Sequence, residues 1–140
     1  MLVLDTDHIS HLQWATSAKA IKLDERLAAS GEEVAVTVVS FEEQMRGWLP
    51  KLRDPAPLTK QIDAYRLVKQ SLKQYCEMPI LDFDEVAATR FQTLRKNHRR
   101  LGALDLKIAA IVLVHDATLL SCNLRHFGQI TELKVEDWIS

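Results

Sequence analysis

The strongest constraint on this chain is a set of short apolar runs that each break off into polar residues. Residues 2–5, 34–39 and 117–121 read as strands, and the middle one is rich in β-branched side chains. The runs are continuous rather than alternating, which is the pattern of strands buried on both faces, as in parallel sheets. Weaker strands are expected near residues 79–81 and 133–135. Helical spacing lies between them. Ile62, Tyr65, Val68, Leu72 and Tyr75 mark one apolar face. Ala87, Phe91, Leu94, His98 and Leu101 mark a second, and Leu104, Ile108, Ile111, Val112 and His115 a third. Strands alternating with helices predict an α/β sandwich with a mostly parallel sheet. In such sheets sites form at the carboxyl ends of the strands.

A chain of 140 residues with 47% hydrophobic and 26% charged residues fits one globular domain over residues 1–140. That balance excludes a disordered tail, a coiled coil and a collagen-like repeat. The one linker-like stretch, residues 50–57, carries Asp54-Pro55 and Pro57 as turn signals between two helices. The longest apolar run, residues 108–114, is far short of the ~20 residues that span a bilayer. With no basic or cleavable apolar leader, the expectation is a cytoplasmic protein with no membrane contact. Cys76 and Cys122 have no metal-ligand spacing and are expected to be buried free thiols. Four glycines offer no dinucleotide fingerprint or phosphate loop, and no nucleophile elbow occurs. A net charge of −1 excludes a strongly basic nucleic-acid binder on average charge, but not a local basic patch.

The polar residues after the strands are the candidates for chemistry: Asp5-Thr6-Asp7-His8, Ser40-Phe41-Glu42-Glu43 and Ser121-Cys122-Asn123. Asp105, in the helix that Gly102 opens, joins them. Clustered carboxylates repel, and a hard divalent cation with oxygen ligands resolves that repulsion. Each residue also has a structural reading. Asp5 ends a strand and Asp7 can N-cap the next helix. Ser40 and Glu43 match the S-x-x-E capping box, the reading that spacing alone favours for Glu43, while Glu42 faces away. Asp105 complements a helix dipole, and Asn123 can cap a short helix. His8 and His11 share a helical face without a metalloprotease context, and His98 and His115 read as core histidines. His126 is either a general acid or phosphate contact, or a surface loop residue. Arg90, Arg95, Lys96, Arg99 and Arg100 concentrate ahead of Gly102 with no acid among them. Such a run is either a solvated face or a phosphate-backbone contact.

In order along the chain, these segments resemble the motifs of PIN domains, specifically the VapC-type toxins of toxin–antitoxin pairs. Residues 2–9 (Leu-Val-Leu-Asp-Thr-Asp-His-Ile) resemble the opening motif. Residues 36–47 resemble the second, with its acid on Glu43, and residues 102–110 the third, with its acid on Asp105. Residues 117–127 resemble the fourth, and Val135-Glu136-Asp137-Trp138 the ending. The resemblance is weak over residues 49–80. It implies a three-layer α/β/α sandwich and a Mg²⁺- or Mn²⁺-dependent endoribonuclease. Asp5, Glu43 and Asp105 would be the catalytic metal ligands. Thr6, Ser121 and Asn123 would stand around them, Thr6 orienting Asp5 or a metal-bound water. The fourth motif departs from the family pattern, with Asn123 where many members carry an acid and His126 where Asp or Glu is common. One metal held tightly and a second arriving with RNA suits three carboxylates.

The reading so far predicts in-line hydrolysis of an RNA phosphodiester, leaving a 5′-phosphate and a 3′-hydroxyl. Arg95, Lys96, Arg99, Arg100 and Arg125 are the candidate RNA contacts, and single-stranded loops the accessible target. The resemblance also implies a homodimer and a cognate antitoxin partner. Trp48 and Leu49 are candidate contacts for these, with core packing favoured for Trp48, Trp14 and Trp138. Two other readings compete. A degenerate PIN-like module would bind RNA or protein without cutting. A haloacid-dehalogenase-like phosphatase would use Asp5 as nucleophile and Asp7 as acid/base, and would leave Glu43 without a role.

Overall fold

The apolar runs do become strands, and all lie in one parallel sheet. A computed structural model describes residues 1–13, 16–53 and 57–140. In chain order the elements are β1 (Leu2–Leu4), α1 (Thr6–Gln13), α2 (Ala18–Ser30), β2 (Val34–Thr37) and α3 (Val38–Trp48). A 3-10 turn (Leu49–Leu52), α4 (Leu58–Cys76), β3 (Ile80–Leu81), α5 (Glu85–Asn97) and α6 (Ala103–Val114) follow. The chain closes with β4 (Thr118–Leu120), α7 (Leu124–Phe127) and β5 (Lys134–Glu136). Both weaker strands of the sequence reading are present.

The strand order is β3-β2-β1-β4-β5, and every pairing is parallel. β1 is central, with β2 on one side and β4 on the other. The connections therefore diverge beside β1, which is where sheets of this kind open a crevice. The pleat divides the core into two layers. Leu2, Leu4, Val36 and Leu120 pack with Ile9 of α1, Leu23 and Leu27 of α2 and Tyr75 of α4. Val3, Ala35 and Leu119 pack with Phe91 and Leu94 of α5 and Ile108 and Ile111 of α6. The result is the expected three-layer α/β/α sandwich. Among the described residues no helix is long and apolar enough to cross a membrane.

Several local expectations are corrected. The second strand stops at Thr37 rather than Val39, because the Thr37 hydroxyl accepts the Ser40 N–H at 3.0 Å and caps α3. The capping box at Ser40 and Glu43 is therefore not formed, and Glu43 lies a turn further on. Asp7 does not cap α1 either; it sits in the first turn, one residue after Thr6. Helix α2 was not expected. Its signals are Ser17, which caps Ala20 N–H, and Gly31, whose φ of 67° ends the helix in a left-handed conformation.

The face of α4 is inverted except at Tyr75, which is buried as the spacing predicts. Ala64, Ser71 and Tyr75 are buried, whereas Ile62, Tyr65 and Leu72 are 51%, 59% and 52% exposed. A polar chain sets this rotation: Ser71 Oγ donates to Gln44 of α3 at 3.1 Å, and Gln44 donates to Ser10 of α1 at 3.3 Å. Both cysteines are exposed rather than buried. His115 is exposed and His98 half-buried, because each follows the last turn of its helix. Trp138 packs partly buried against the core, with the Arg26 guanidinium 3.9 Å from its ring centroid. Trp48 is half-buried, and Leu49 is 47% exposed. Trp14 and the Asp54-Pro55 turn lie outside the described residues.

The cap on α3 positions Glu43, so its loss has a measurable cost. Thr37→Ala removes a buried cap and is expected to destabilise the protein by about 1–2 kcal/mol in urea unfolding, with Thr37→Ser restoring most of it. Equal stability of the Ala variant and the wild type would place the helix start elsewhere.

Candidate active site

Asp5 leaves the carboxyl end of the central strand, and its N–H donates to Leu120 O at 2.9 Å. That bond closes the sheet between β1 and β4 and turns the side chain into the crevice. The residue is only 7% exposed. Ser121, the first residue after β4, donates its hydroxyl to Asp5 Oδ2 at 2.7 Å. Thr6 opens α1 and donates its hydroxyl to Glu43 Oε1 in a short hydrogen bond; its distance to Asp5 Oδ1 is 3.5 Å. One hydroxyl proton serves one acceptor well, so Thr6 orients Glu43 rather than Asp5. Three elements, β1, α1 and α3, thus bring two carboxylates to opposite sides of one hydroxyl.

Asp105 stands in the first turn of α6 and is half-buried. His126 Nδ1 lies 3.7 Å from Asp105 Oδ2 and 3.0 Å from the Asn123 amide nitrogen. Asn123 N–H in turn donates to Ser121 Oγ at 3.0 Å. Asn123 occupies the cap position of α7 but makes no side-chain cap bond. A polar chain therefore runs from Asp5 through Ser121, Asn123 and His126 to Asp105. The three proposed ligands do not close to bonding distance of a single ion. Among the described residues, the one set of three His, Cys, Asp or Glu ligand atoms within 4.8 Å of one another is Asp7, His8 and Cys122.

That second group is already saturated with hydrogen bonds. Trp138 N–H donates to His8 Nε2 at 3.2 Å, which fixes the ring proton on Nδ1, 2.6 Å from Asp7 Oδ1. Asp7 Oδ2 accepts the Cys122 N–H at 2.9 Å. Burial pushes the Asp7 carboxyl up, but the His8 ring and the Cys122 N–H outweigh it and hold it below the ordinary value. The group ties α1 to the end of β4 and to the C-terminal segment, and both Asp7 oxygens and His8 Nε2 are engaged by protein donors. It also leaves Asp7 no freedom to act as the acid/base of a phosphatase.

The electrostatics separate the carboxylates further. Burial raises the Asp5 carboxyl to about 6, helped by the charges of Asp7 and Glu43 and opposed by the Ser121 hydroxyl. Burial also raises Asp105, against the pull of His126. Among the described residues no Lys or Arg pairs with Asp5 or Glu43. The donors are carboxylate oxygens of excess negative charge, the chemistry that a hard divalent cation takes. Sequence reasoning named two residues here without the roles they take. His8 supports Asp7 from inside the fold. Tyr75 is 1% exposed, its hydroxyl has no hydrogen-bond partner among the described residues, and burial with the charges of Glu43 and Asp5 holds its proton on. An amphipathic pattern carries no signal for either.

The basic residues lie elsewhere. Arg95 and Lys96 end α5, and with Arg99 they line a pocket beside α6. Arg100 is exposed in the turn that follows and Arg125 is exposed on α7; neither lines that pocket. Arg90 pairs with Glu132 at 3.8 Å. Glu42 faces away, as expected, paired with Arg46.

Two outcomes follow from the buried groups. The folded state keeps the Asp5 proton between 3.8 and about 6, where the unfolded chain has lost it, so metal-free stability falls as pH rises through that window. The ionised form then costs the fold about 3 kcal/mol, and in EDTA Asp5→Asn is expected to exceed the wild type by about 1–3 kcal/mol near pH 7. The gain should vanish near pH ~4, and denaturant titrations at both values read it. Tyr75→Phe removes an unpaired buried hydroxyl and is expected to stabilise the metal-free protein by about 1 kcal/mol; a loss would reveal a partner for that hydroxyl.

The family model for the PIN domain matches residues 2–133. Solved structures with the same fold include a chain of the VapBC2 complex from Rickettsia felis bound to a promoter DNA fragment. It has a TM-score of 0.74 at 19% identity, over 98% of each chain. A chain of VapBC-1 from nontypeable Haemophilus influenzae aligns with a TM-score of 0.71 at 21% identity, over 99% of this chain and 98% of that one. VapC20 of Mycobacterium tuberculosis, described as a sarcin-ricin loop cleaving toxin, aligns with a TM-score of 0.58 at 12% identity, over 92% and 95%. No curated protein sequence matches significantly. With its motifs matched from the first strand nearly to the last, and its first acid at the crevice of a five-stranded parallel sheet, this chain belongs to the PIN domain family.

Proposed function

We propose that the protein is a Mg²⁺- or Mn²⁺-dependent endoribonuclease of VapC type, the toxin of a toxin–antitoxin pair. The observation that carries this is the meeting of Asp5 and Glu43 around the Thr6 hydroxyl at the crevice, with no Lys or Arg among the described residues paired to either. Asp5, Glu43 and Asp105 are the ligands, and Thr6, Ser121 and Asn123 orient them or line the cleft. A bound divalent ion supplies a water of lowered pKa and a charge that polarises the phosphodiester. Ser121 holds Asp5 in one rotamer through Oδ2, which leaves Oδ1 for the ion. Thr6 does the same for Glu43. His126 stands 48% exposed beside Asp105, where its ring can give a proton to a leaving oxygen. A water oxygen forms the new bond to phosphorus, the P–O3′ bond breaks, and the products are a 5′-phosphate and a 3′-hydroxyl.

Partners follow the same reading. Structural neighbours include a toxin–antitoxin complex from Klebsiella pneumoniae and VapBC-5 of Mycobacterium tuberculosis, a member of the VapBC family of toxin–antitoxin systems. A groove of about 1060 Å³ between α1, α2 and α4 is lined by Leu12, Ile21 and Met78 and rimmed by Asp24, Glu25 and Glu32. A basic, partly apolar antitoxin segment suits it. The exposed stripe of Leu58, Ile62, Tyr65 and Leu72 on α4 is the apolar surface that a homodimer contact would cover. Work in the cytoplasm fits an RNA substrate.

Calorimetric Mn²⁺ titration tests the ligands without a known substrate. The wild type should bind, and Glu43→Gln, folded by circular dichroism, should bind at least about tenfold more weakly, as loss of one ligating carboxylate requires. Asp5→Asn and Asp105→Asn should abolish RNA cleavage while staying folded; wild-type cleavage by either variant would refute the assignment. Metal binding without cleavage of any RNA would favour the non-catalytic module.

A further inference from the structure

The cations ahead of Gly102 are exposed, and most of them gather around one pocket. Arg95, Lys96, His98 and Arg99 surround a pocket of about 660 Å³, with Gln92 on its wall and Leu101, Ala103 and Leu106 as an apolar floor. Its size falls in the roughly 300–1,000 Å³ range of ligand clefts. Among the described residues none of these four groups makes an ion pair, although acids outnumber basic residues in the chain, 19 to 18. The Arg95 guanidinium lies 5.9 Å from the Phe91 ring centroid, a contact that holds it in place without spending its donors. Unpaired cations gathered over an apolar floor repel one another, so the arrangement fits an anion that carries a flat apolar body.

We propose that this pocket is a subsite for one nucleotide of a single-stranded RNA substrate, separate from the cleft that holds the scissile phosphate. Arg95, Lys96 and Arg99 take the phosphate, the base lies over the exposed Ala103, backed by the buried Leu101 and Leu106, and the Gln92 carboxamide offers a donor and an acceptor to the base edge. The proposal rests on the ribonuclease reading above and extends it. The two sites share one turn of α6. Ala103 and Leu106 face the pocket, and Asp105, about 100° or more around the helix, faces the cleft. The helix is about 10–12 Å across, so a strand seated in the pocket reaches the acids after a few linked nucleotides. Duplex RNA keeps its bases stacked inside and cannot offer this unit, whereas a loop can.

The test is fluorescence anisotropy of a labelled 12-nucleotide (~12, one loop's length) single-stranded RNA in EDTA, where no cleavage occurs. Wild type is compared with Arg95→Gln/Arg99→Gln and with Lys60→Gln/Lys69→Gln, an equal charge change on exposed positions of α4. Losing two phosphate contacts should flatten the log–log salt dependence by about 1.4 and weaken binding about 25-fold at ~0.1 M salt. The α4 pair should change neither, and circular dichroism should show all three folded. Equal weakening by both pairs would reduce the effect to net charge and overturn the subsite. So would absence of wild-type binding in EDTA, or a mononucleotide competing as tightly as the strand. Cleavage with Mn²⁺ is read separately. Binding at the pocket without cleavage would sink the ribonuclease reading and leave the subsite. Cleavage with an unchanged salt slope in the Arg95/Arg99 variant would do the reverse.

Discussion

A carboxylate at the end of a central parallel strand has little access to water, and this placement of Asp5 organises the rest of the cleft. Its backbone N–H completes the pairing of β1 with β4, so the side chain cannot turn away without opening the sheet. The Ser121 hydroxyl then meets it, because β4 ends in register beside it, Leu4 opposite Leu120. Glu43 approaches from the other side only because α3 begins at Val38, one residue past β2. A helix starting three residues later would carry Glu43 into its first turn and onto its own cap. The cap at Thr37 and the acid at the cleft are thus two consequences of one chain reversal.

That reversal explains what the sequence did and did not make legible. The strands were readable because apolar continuity reports burial on both faces, and five of them appear where the runs fall. Their ends were less readable. Val38 and Val39 extend a β-branched run, yet a buried threonine hydroxyl two bonds from the backbone stops the strand first. Ser40 and Glu43 carried the spacing of a cap, but Thr37 carried the geometry. Thr6, Ser121 and Asn123 were placed near the acids by position alone, while their pairings depend on hydroxyl directions that no spacing encodes. The Thr6 hydroxyl serves Glu43, not the neighbouring Asp5.

Helix α4 shows the limit of periodicity in a different way. Its apolar residues fall on a clean stripe, and a stripe of this kind is read as a core face. Here the buried face is made by Ala64, Ser71 and Tyr75. Ala64 and Ser71 allow close approach, and the Ser71–Gln44–Ser10 chain fixes the rotation with hydrogen bonds that would be lost if the stripe turned inward. Ile62, Tyr65 and Leu72 stay outside as a consequence, and of the stripe only Tyr75 is buried. The same arithmetic applies to the histidines: His98 and His115 keep the helical spacing but stand just past the last turn, where the spacing no longer decides burial.

Charge is divided between the two sides of α6, and the division matters because the chain is nearly neutral overall. If Arg95 or Arg99 reached Asp5 or Glu43, each would satisfy the other, the Asp5 carboxyl would fall rather than rise to about 6, and no excess charge would remain to hold a cation. The sandwich prevents this. The acids project from strand ends and from α3 into the crevice, and the cations project from the end of α5 to the far side of the same α6 turn that carries Asp105. Each set therefore keeps its field. One field is negative and the other positive, and α6 separates them. In the cleft, His126 is the basic group that stands beside Asp105. Its Nδ1 lies 3.0 Å from the Asn123 amide nitrogen and 3.7 Å from Asp105 Oδ2, so one ring atom joins the chain from Ser121 to the acid of α6.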